Sequence, residues 1–529
     1  MGKTITSFRP KSLLSNAAWN LFLTAWTTGV SFFYTPFLIR HIGSDYYGLF
    51  VLLMSLSGLL GIMNLGLGEA TLRYTAYYYG RQDISGINRV VGSTLSVYTA
   101  VSLAIAAVIF PASPFIVKFI AVPPGESALG IKLLRITAVT FSLKLFSGAV
   151  GSIPGALQRY DIRTKVMIAE NIFQLAGTVA LVLTGYGIYH LVLWSLITAL
   201  FIQAVHMRVA KRLIPLLRLT PLFAKDGIKE VFGYGIFSSL GQFLTIIRTQ
   251  ADRLILGALV STSAVAYLTV PQTIALRAAG AVGSAGAALF PKFSATKDPE
   301  ELQSLFLNAT WISLCATVVI FVPVTILFPD FLRLWINPEF AEKSAWVGQI
   351  IAGSCIVRGA FIPYDALFRG IGKPQYLTVL FTCAAVTSLG LNFVMIPRFG
   401  LAGAGYCYCI TPLWGFIGIT FTLRKVLGIP SLRPFFHSVA LPCMLGFLVL
   451  FLLSALRRSF METPGWIELF VIGALFAGIT AAVVLGTEQL LRGSDSHTQS
   501  LANHVRRILA AHPRILPPRR SNYGRPPEA

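Results

Sequence analysis

The sequence predicts an all-α polytopic membrane protein of about fourteen transmembrane helices, built as two pseudo-symmetric six-helix lobes plus two C-terminal helices. Three observations lead there. Of 529 residues, 55% are hydrophobic and 12% charged, with a mean hydropathy of +0.71, whereas a soluble domain carries about a quarter charged residues. The apolar runs have helix length, roughly 20 residues for a hydrocarbon core of about 30 Å. That length argues against a closed barrel, the other way to satisfy a backbone in lipid. Finally, the chain repeats itself. Phe37 to Leu49 (FLIRHIGSDYYGL) and Ile255 to Tyr267 (ILGALVSTSAVAY) hold equivalent places in two hydropathy halves, and at one ungapped offset Gly68 falls on Gly286 and Ala70 on Ala288. A duplicated, polytopic, apolar chain fits two bundles that rock around a site between them.

Taken in order, residues 1–14 carry Lys3, Arg9 and Lys11 and precede a first span near Ser15–Ile39. That span is too long for a signal-peptide core and is followed by no small-residue cleavage site, so it reads as a retained helix. Residues 15–207 hold six spans, 208–230 form a basic linker, and 231–424 hold six more. An even number of spans per half gives both halves one orientation, so the repeat axis runs along the membrane normal. Residues 425–490 add two spans, near Phe435–Leu456 and Trp466–Glu488, with no counterpart in the repeat; they read as packing or lipid-facing helices. The basic, proline-containing tail 491–529, with Arg506, Arg507, Arg519 and Arg520, reads as a disordered segment against anionic headgroups.

A net charge of +22 invites a nucleic-acid partner, and its distribution argues against one. With both termini cytoplasmic, the inside segments collect Arg73, Arg81 and Arg89, then Arg159, Arg163 and Lys165, then Arg208, Lys211, Arg212, Arg218, Lys225 and Lys229, then Arg369, Lys373, Arg424, Lys425 and Arg433. Outside segments are poor in Lys and Arg, with Arg457 and Arg458 the main exceptions. This is the positive-inside asymmetry, and topology accounts for the charge.

Thr35 to Phe50 (TPFLIRHIGSDYYGLF), Asn64 to Tyr74 (NLGLGEATLRY), Ala251 to Gly257 (ADRLILG) and Gly370 to Pro374 (GIGKP) follow one another at the right spans. Over roughly the first 430 residues the chain resembles the polysaccharide-transporter (oligosaccharide flippase) branch of the multidrug/oligosaccharidyl-lipid/polysaccharide superfamily. The resemblance implies a two-lobed, V-shaped, fourteen-helix exporter. Such a protein moves a polyprenyl-diphosphate-linked oligosaccharide from the cytoplasmic to the periplasmic leaflet of the bacterial inner membrane, for cell-surface polysaccharide (lipopolysaccharide or exopolysaccharide) biosynthesis. Its partners would be that lipid-linked glycan and membrane lipids, with polysaccharide polymerase machinery a further candidate.

A diphosphate brings about two negative charges into a low-dielectric region, so the path needs cations and a wet cavity. A charge at mid-helix costs about 2.5–3.5 kcal/mol on insertion scales, so charges that remain in spans are candidates. Arg277, in Ile274-Ala-Leu-Arg-Ala-Ala-Gly, has no acid within helical reach and fits a cavity wall. Arg248 in span seven stands four residues from Asp252, and the two can pair on one face. Arg248 then binds diphosphate with Asp252 holding it, or the two form a self-neutralising pair. Arg253 projects elsewhere. Lys144 and Arg135 in span four also lack a local acid; Lys144 is the deeper and completes a cationic substrate patch with Arg248 and Arg277, while Arg135 snorkels.

The gating or coupling candidates are Asp252, the pair Glu69 and Arg73 at the inner end of span two, the pair Arg358 and Asp365, and Glu170. Glu69 and Arg73 are four apart in the favourable order, a gate or clasp. Arg358 and Asp365 are seven apart in span ten, on one face two turns along, a lock with Pro363 marking a kink. Glu170, with Asn171 and Gln174, is the acidic candidate for proton or cation coupling, or an interfacial glutamate hydrogen-bonded to a neighbouring helix. Coupling is not forced, since an anion leaving a negative-inside cell gains about 2.3 kcal/mol per charge per 100 mV.

No cofactor or metal is implied. Gly2-Lys3-Thr4 lacks the context of a phosphate loop, the seven histidines make no ligand spacing, and the six cysteines all fall in apolar spans. Two rivals are a cation-coupled drug antiporter of the same superfamily and a membrane-embedded glycan polymerase or ligase. The first span carries Trp19, Asn20 and Trp26 but no acid, against the former; the outer stretches Phe110–Lys132 and Pro329–Lys343 are short and lack an acid/base constellation, against the latter.

Overall fold

The computed structural model describes residues 13–119, 125–286, 289–429, 436–460 and 464–492, and within the helices the side chains of some residues, Arg248 among them, lie outside that description. The described residues are almost wholly helical and hold no strand. The first lobe opens with α1 (Leu13–Leu60), two helices joined at Gly43. There φ is 80° and ψ 166°, a conformation essentially reserved for glycine. A short turn, with Leu65 and Gly66 left-handed, leads to α2 (Leu67–Gly80). Then come α3 (Ile84–Phe119), α4 (Ser127–Gly151), the one-turn α5 (Ile153–Ala156), α6 (Tyr160–Leu183) and α7 (Ile188–Leu213). The second lobe runs through α8 (Lys225–Leu259), α9 (Thr262–Gly286), α10 (Leu289–Ala295), α11 (Pro299–Trp335), α12 (Pro338–Arg358), α13 (Phe361–Gly370), α14 (Gln375–Phe399), α15 (Leu401–Ile410) and α16 (Leu413–Phe421). The last helices are α17 (Leu441–Phe460) and α18 (Trp466–Arg492), both packed on α11. The expected linker over 208–230 is shorter than drawn, because α7 continues to Leu213 and α8 starts at Lys225.

The repeat appears as matching backbone breaks. α4 gives way to α5 as α12 gives way to α13, and α5 packs on α2 as α13 packs on α10. Both short helices end in one hydrogen-bond pattern. Arg159 N donates to Pro154 O at 2.8 Å around left-handed Gln158, and Lys373 N donates to Phe368 O at 2.9 Å around left-handed Gly372. Each is the 6→1 closure that satisfies orphan carbonyls at a helix end.

Prolines inside these helices leave carbonyls that lipid cannot satisfy, and neighbouring helices supply the donors. Pro36 frees the Phe32 carbonyl, which accepts from Trp335 Nε1 at 2.8 Å. Pro114 frees that of Phe110, taken by Arg135 Nη2 at 3.1 Å. Pro271 frees Tyr267, bonded by Ser344 Oγ at 2.7 Å, and Pro329 frees Thr325, bonded by Gln349 Nε2 at 3.1 Å. Arg135 is therefore a staple between α4 and α3 rather than a snorkelling charge. Arg457 has a comparable explanation: it bonds Asp330 of α11 at 2.9 and 3.0 Å, and so ties α17 to the second lobe.

By length and composition, 10 described helices can cross a membrane, or 11 counting the bent pair α12–α13, against the fourteen expected. One reason is that α1 merges two helices at Gly43. The helices α8 and α9 carry Arg248, Asp252, Arg253, Gln272 and Arg277. The bent pair also corrects a sequence expectation. Arg358 ends α12 and Asp365 lies in α13, with a 42° bend between them, so they do not share one face. Pro363 has no N–H for the Gly359 carbonyl, which places the break at Gly359–Ala360. Asp365 instead pairs with Arg369 at 2.9 Å on a largely exposed surface.

Candidate functional site

The two lobes meet along α1, α8 and α9, and at one end along α11. At Gly48 they approach backbone against backbone: a Cβ on Gly48 of α1 would lie 1.8 Å from the Thr262 carbonyl oxygen at the start of α9. Beside it lies a cavity of about 220 Å³ whose walls include Ser31, Thr35 and Tyr47 of α1, Thr273 and Arg277 of α9, and Trp335 of α11. Arg277 is the one charged group among the described lining residues. Its Nη2 donates to Ser31 Oγ at 3.0 Å, and Ser31 Oγ donates to the Thr27 carbonyl at 2.8 Å. A guanidinium held, among the described residues, by a single neutral hydroxyl keeps most of its donors for an anion.

One end of the cavity is sealed by contacts between lobes. The Phe32, Phe331 and Trp335 rings lie 5.3–6.2 Å apart, and the Trp335 indole holds the carbonyl that Pro36 frees. Arg40 of α1 donates through Nε to Ile336 O at 2.6 Å and through Nη2 to Trp335 O at 3.1 Å and Leu334 O at 3.3 Å. A cation on three carbonyls at the C-terminus of α11 satisfies orphan acceptors and the helix dipole together.

Asp252 is 2% exposed and built into a network across three helices. Its Oδ2 accepts from Gln272 Nε2 of α9 at 2.8 Å and from Tyr408 OH of α15 at 2.8 Å, while Oδ1 accepts from the Arg253 amide at 2.8 Å. Gln272 and Tyr408 are themselves hydrogen-bonded. Arg253 donates through Nε (3.1 Å) and Nη2 (2.8 Å) to Gln272 Oε1. The expected holder of Asp252, Arg248, has its side chain outside the described residues.

The other expected site residues lie elsewhere. Lys144 is exposed on α4 and acts electrostatically on half-buried Glu170 of α6, so its acid comes from another helix rather than its own. It does not line the cavity that Arg277 lines. Glu69 and Arg73 are both exposed on α2, one turn apart. Arg358 is half-buried where α12 ends. A larger cavity of about 470 Å³ between the second lobe and α17, beside Thr325, Gln349 and Ser354, has no charged residue among its described lining residues. Sequence reasoning missed Ser31, Tyr47, Gln272, Tyr408 and Arg40. For Gln272 the available signal was a buried amide beside a proline in an apolar run; for Tyr408 no sequence signal exists.

Comparison with known proteins fixes the kind of chain this is. The family described as polysaccharide biosynthesis protein matches residues 37–337, more than half of the sequence. The chain belongs to this family. A Shigella flexneri member of the curated proteins, "Putative O-antigen transporter", is 23% identical over 431 residues, covering 75% of this chain and 94% of that one. The fold is shared with a solved structure titled lipid II flippase MurJ, inward closed conformation, at a TM-score of 0.68 and 15% identity, over 89% of this chain and 98% of that one. It is shared also with an inward-facing multidrug resistance MATE family transporter, at 0.61 and 16%, over 76% and 96%. The family match spans the sealed end of the cavity except Phe32, the Asp252 network except Tyr408, and Arg277.

Proposed function

We propose that this polysaccharide biosynthesis protein is a flippase for a polyprenyl-diphosphate-linked oligosaccharide, carrying it from the cytoplasmic to the periplasmic leaflet of the inner membrane by alternating access. The observation that carries the reading is Arg277, a guanidinium tied to one serine hydroxyl in a cavity between two membrane-embedded lobes. A cation placed within a span is tolerated where protein or water surrounds it and an anion visits it. The serine, threonine and aromatic lining beside it suits a hydroxyl-rich headgroup. The O-antigen transporter name of one relative and the lipid II flippase title of one structural neighbour point to the same cargo class. Lys144 and Arg248 enter the reading as secondary cations on the path, with Arg277 the principal contact.

The test is mass spectrometry of polyprenyl-linked sugars from native cells depleted of the protein. One diphosphate-linked oligosaccharide should accumulate, and Arg277→Gln should reproduce that accumulation with normal membrane insertion. An unchanged lipid-linked pool, in cells that make such lipids and lack a second exporter, overturns the proposal.

A further inference from the structure

We propose that Arg253 is a second anion-binding residue of the inter-lobe path, aimed by Gln272, which is in turn set by Asp252 and Tyr408. The inference rests on the flippase reading. If Arg253 served only to neutralise Asp252, a direct ion pair would be the simplest arrangement. Instead a side-chain amide stands between them: the guanidinium donates to Gln272 Oε1, and Gln272 Nε2 donates to the carboxylate. Asp252 meets Arg253 through the backbone N–H.

This order fixes the amide. Turned over, Gln272 would present its NH2 to guanidinium donors and its oxygen to a carboxylate, and both contacts would repel. Asp252 and Tyr408 therefore act through Gln272 as positioning residues, and what they position is one edge of the Arg253 fork. Two of its nitrogens, Nε and Nη2, are occupied by Gln272, and Nη1 has no partner among the described contacts.

Burial is graded along the chain of contacts. Asp252 is 2% and Gln272 1% exposed, while Arg253 is half-buried, so the anionic end is sealed and the cationic end is open. The cationic end lies beside the path: Gln272, which holds the fork, sits in α9 between Val270 and Thr273, and both line the cavity that Arg277 also lines. A diphosphate with about two charges would thus meet guanidinium groups from neighbouring helices α8 and α9, one held by a hydroxyl and one by a charged network.

The experiment uses the full chain in phosphatidylcholine nanodiscs, titrated with a polyprenyl diphosphate and, in parallel, with the neutral polyprenol of the same chain length, both followed by native mass spectrometry. Arg253→Gln should weaken diphosphate binding roughly tenfold and leave polyprenol binding unchanged, the scale of one charge-assisted contact. Gln272→Leu should lower diphosphate binding several-fold with Arg253 still present. Combined with Arg253→Gln it should add little, as expected for residues acting as one unit. Should Arg253→Gln not fold, Arg253→Lys, which keeps the charge and loses the fork, should show an intermediate and still diphosphate-selective loss. Wild-type diphosphate affinity in the Arg253 variant that folds, or equal losses for both lipids, overturns this inference alone. Wild-type protein that does not prefer diphosphate to polyprenol overturns the flippase reading with it.

Discussion

The two lobes share a backbone plan and differ in how they treat charge. Both break a helix near one end, at α4–α5 and at α12–α13, and both close the short helix with the same hydrogen-bond pattern around a left-handed residue. Yet the second lobe buries Asp252 among donors from three helices, while the first pairs its buried Asp161 with Arg159 two residues away and leaves Lys144 exposed and Glu170 half-buried. Duplication has preserved main-chain geometry and released side-chain chemistry. The second lobe therefore combines the rigid electrostatic anchor with Arg277, and the first contributes hydroxyls and aromatic rings from α1 to the shared cavity.

The sharpest way to break this contrast is to remove one carboxylate from each lobe. Asp252→Ala leaves the Gln272, Tyr408 and Arg253 backbone donors without their acceptor and the nearby Arg253 charge without its counter-charge, and should cost about 3–5 kcal/mol. Glu170→Gln should cost less than about 1 kcal/mol, because its partner Lys144 is exposed. Thermal unfolding of the full chain in detergent checks both, and equal losses would end the comparison. Next in size, Gly48→Val drives a side chain into the Thr262 carbonyl and should cost about 1–3 kcal/mol. Disulfide trapping between cysteines placed on α1 and α9 should fall with it.

A smaller effect separates seams between lobes from seams within one. Trp335→Phe strands the Phe32 carbonyl, worth about 1–2 kcal/mol, and should broaden inter-lobe distances measured between spin labels. Ser344→Ala strands the Tyr267 carbonyl at similar cost, inside the second lobe, and should leave those distances unchanged. Smallest is the left-handed position itself. Gln158→Gly should stabilise by about 1 kcal/mol and Gly372→Gln should destabilise by about as much, measured by unfolding.

The repeat was legible because small residues and hydropathy keep their places, as Gly68 and Gly286 do. Arg277 was legible because a lone charge in an apolar run is costly wherever it points. The Asp252 network was not, since its partners lie 20 and 156 residues away and neutral amides and phenols give no signal in hydropathy. The Arg358–Asp365 lock failed for another reason: counting two turns presumes an unbroken helix, and Pro363 had already removed the hydrogen bond needed to keep it whole. Arg40 sat in plain view inside the TPFLIRHIG run, but helix capping from another helix depends on where α11 ends in space, not on local spacing.

The Arg40 cap has one further consequence. Four carbonyls at the sealed end, those of Phe32, Leu334, Trp335 and Ile336, take donors from across the seam between lobes. Lobes that part there leave these oxygens and the Arg40 guanidinium needing new partners, and hydrocarbon offers none. Water must arrive as the contacts break, so hydration is a co-requisite of opening at that end, and osmotic stress should slow the cycle.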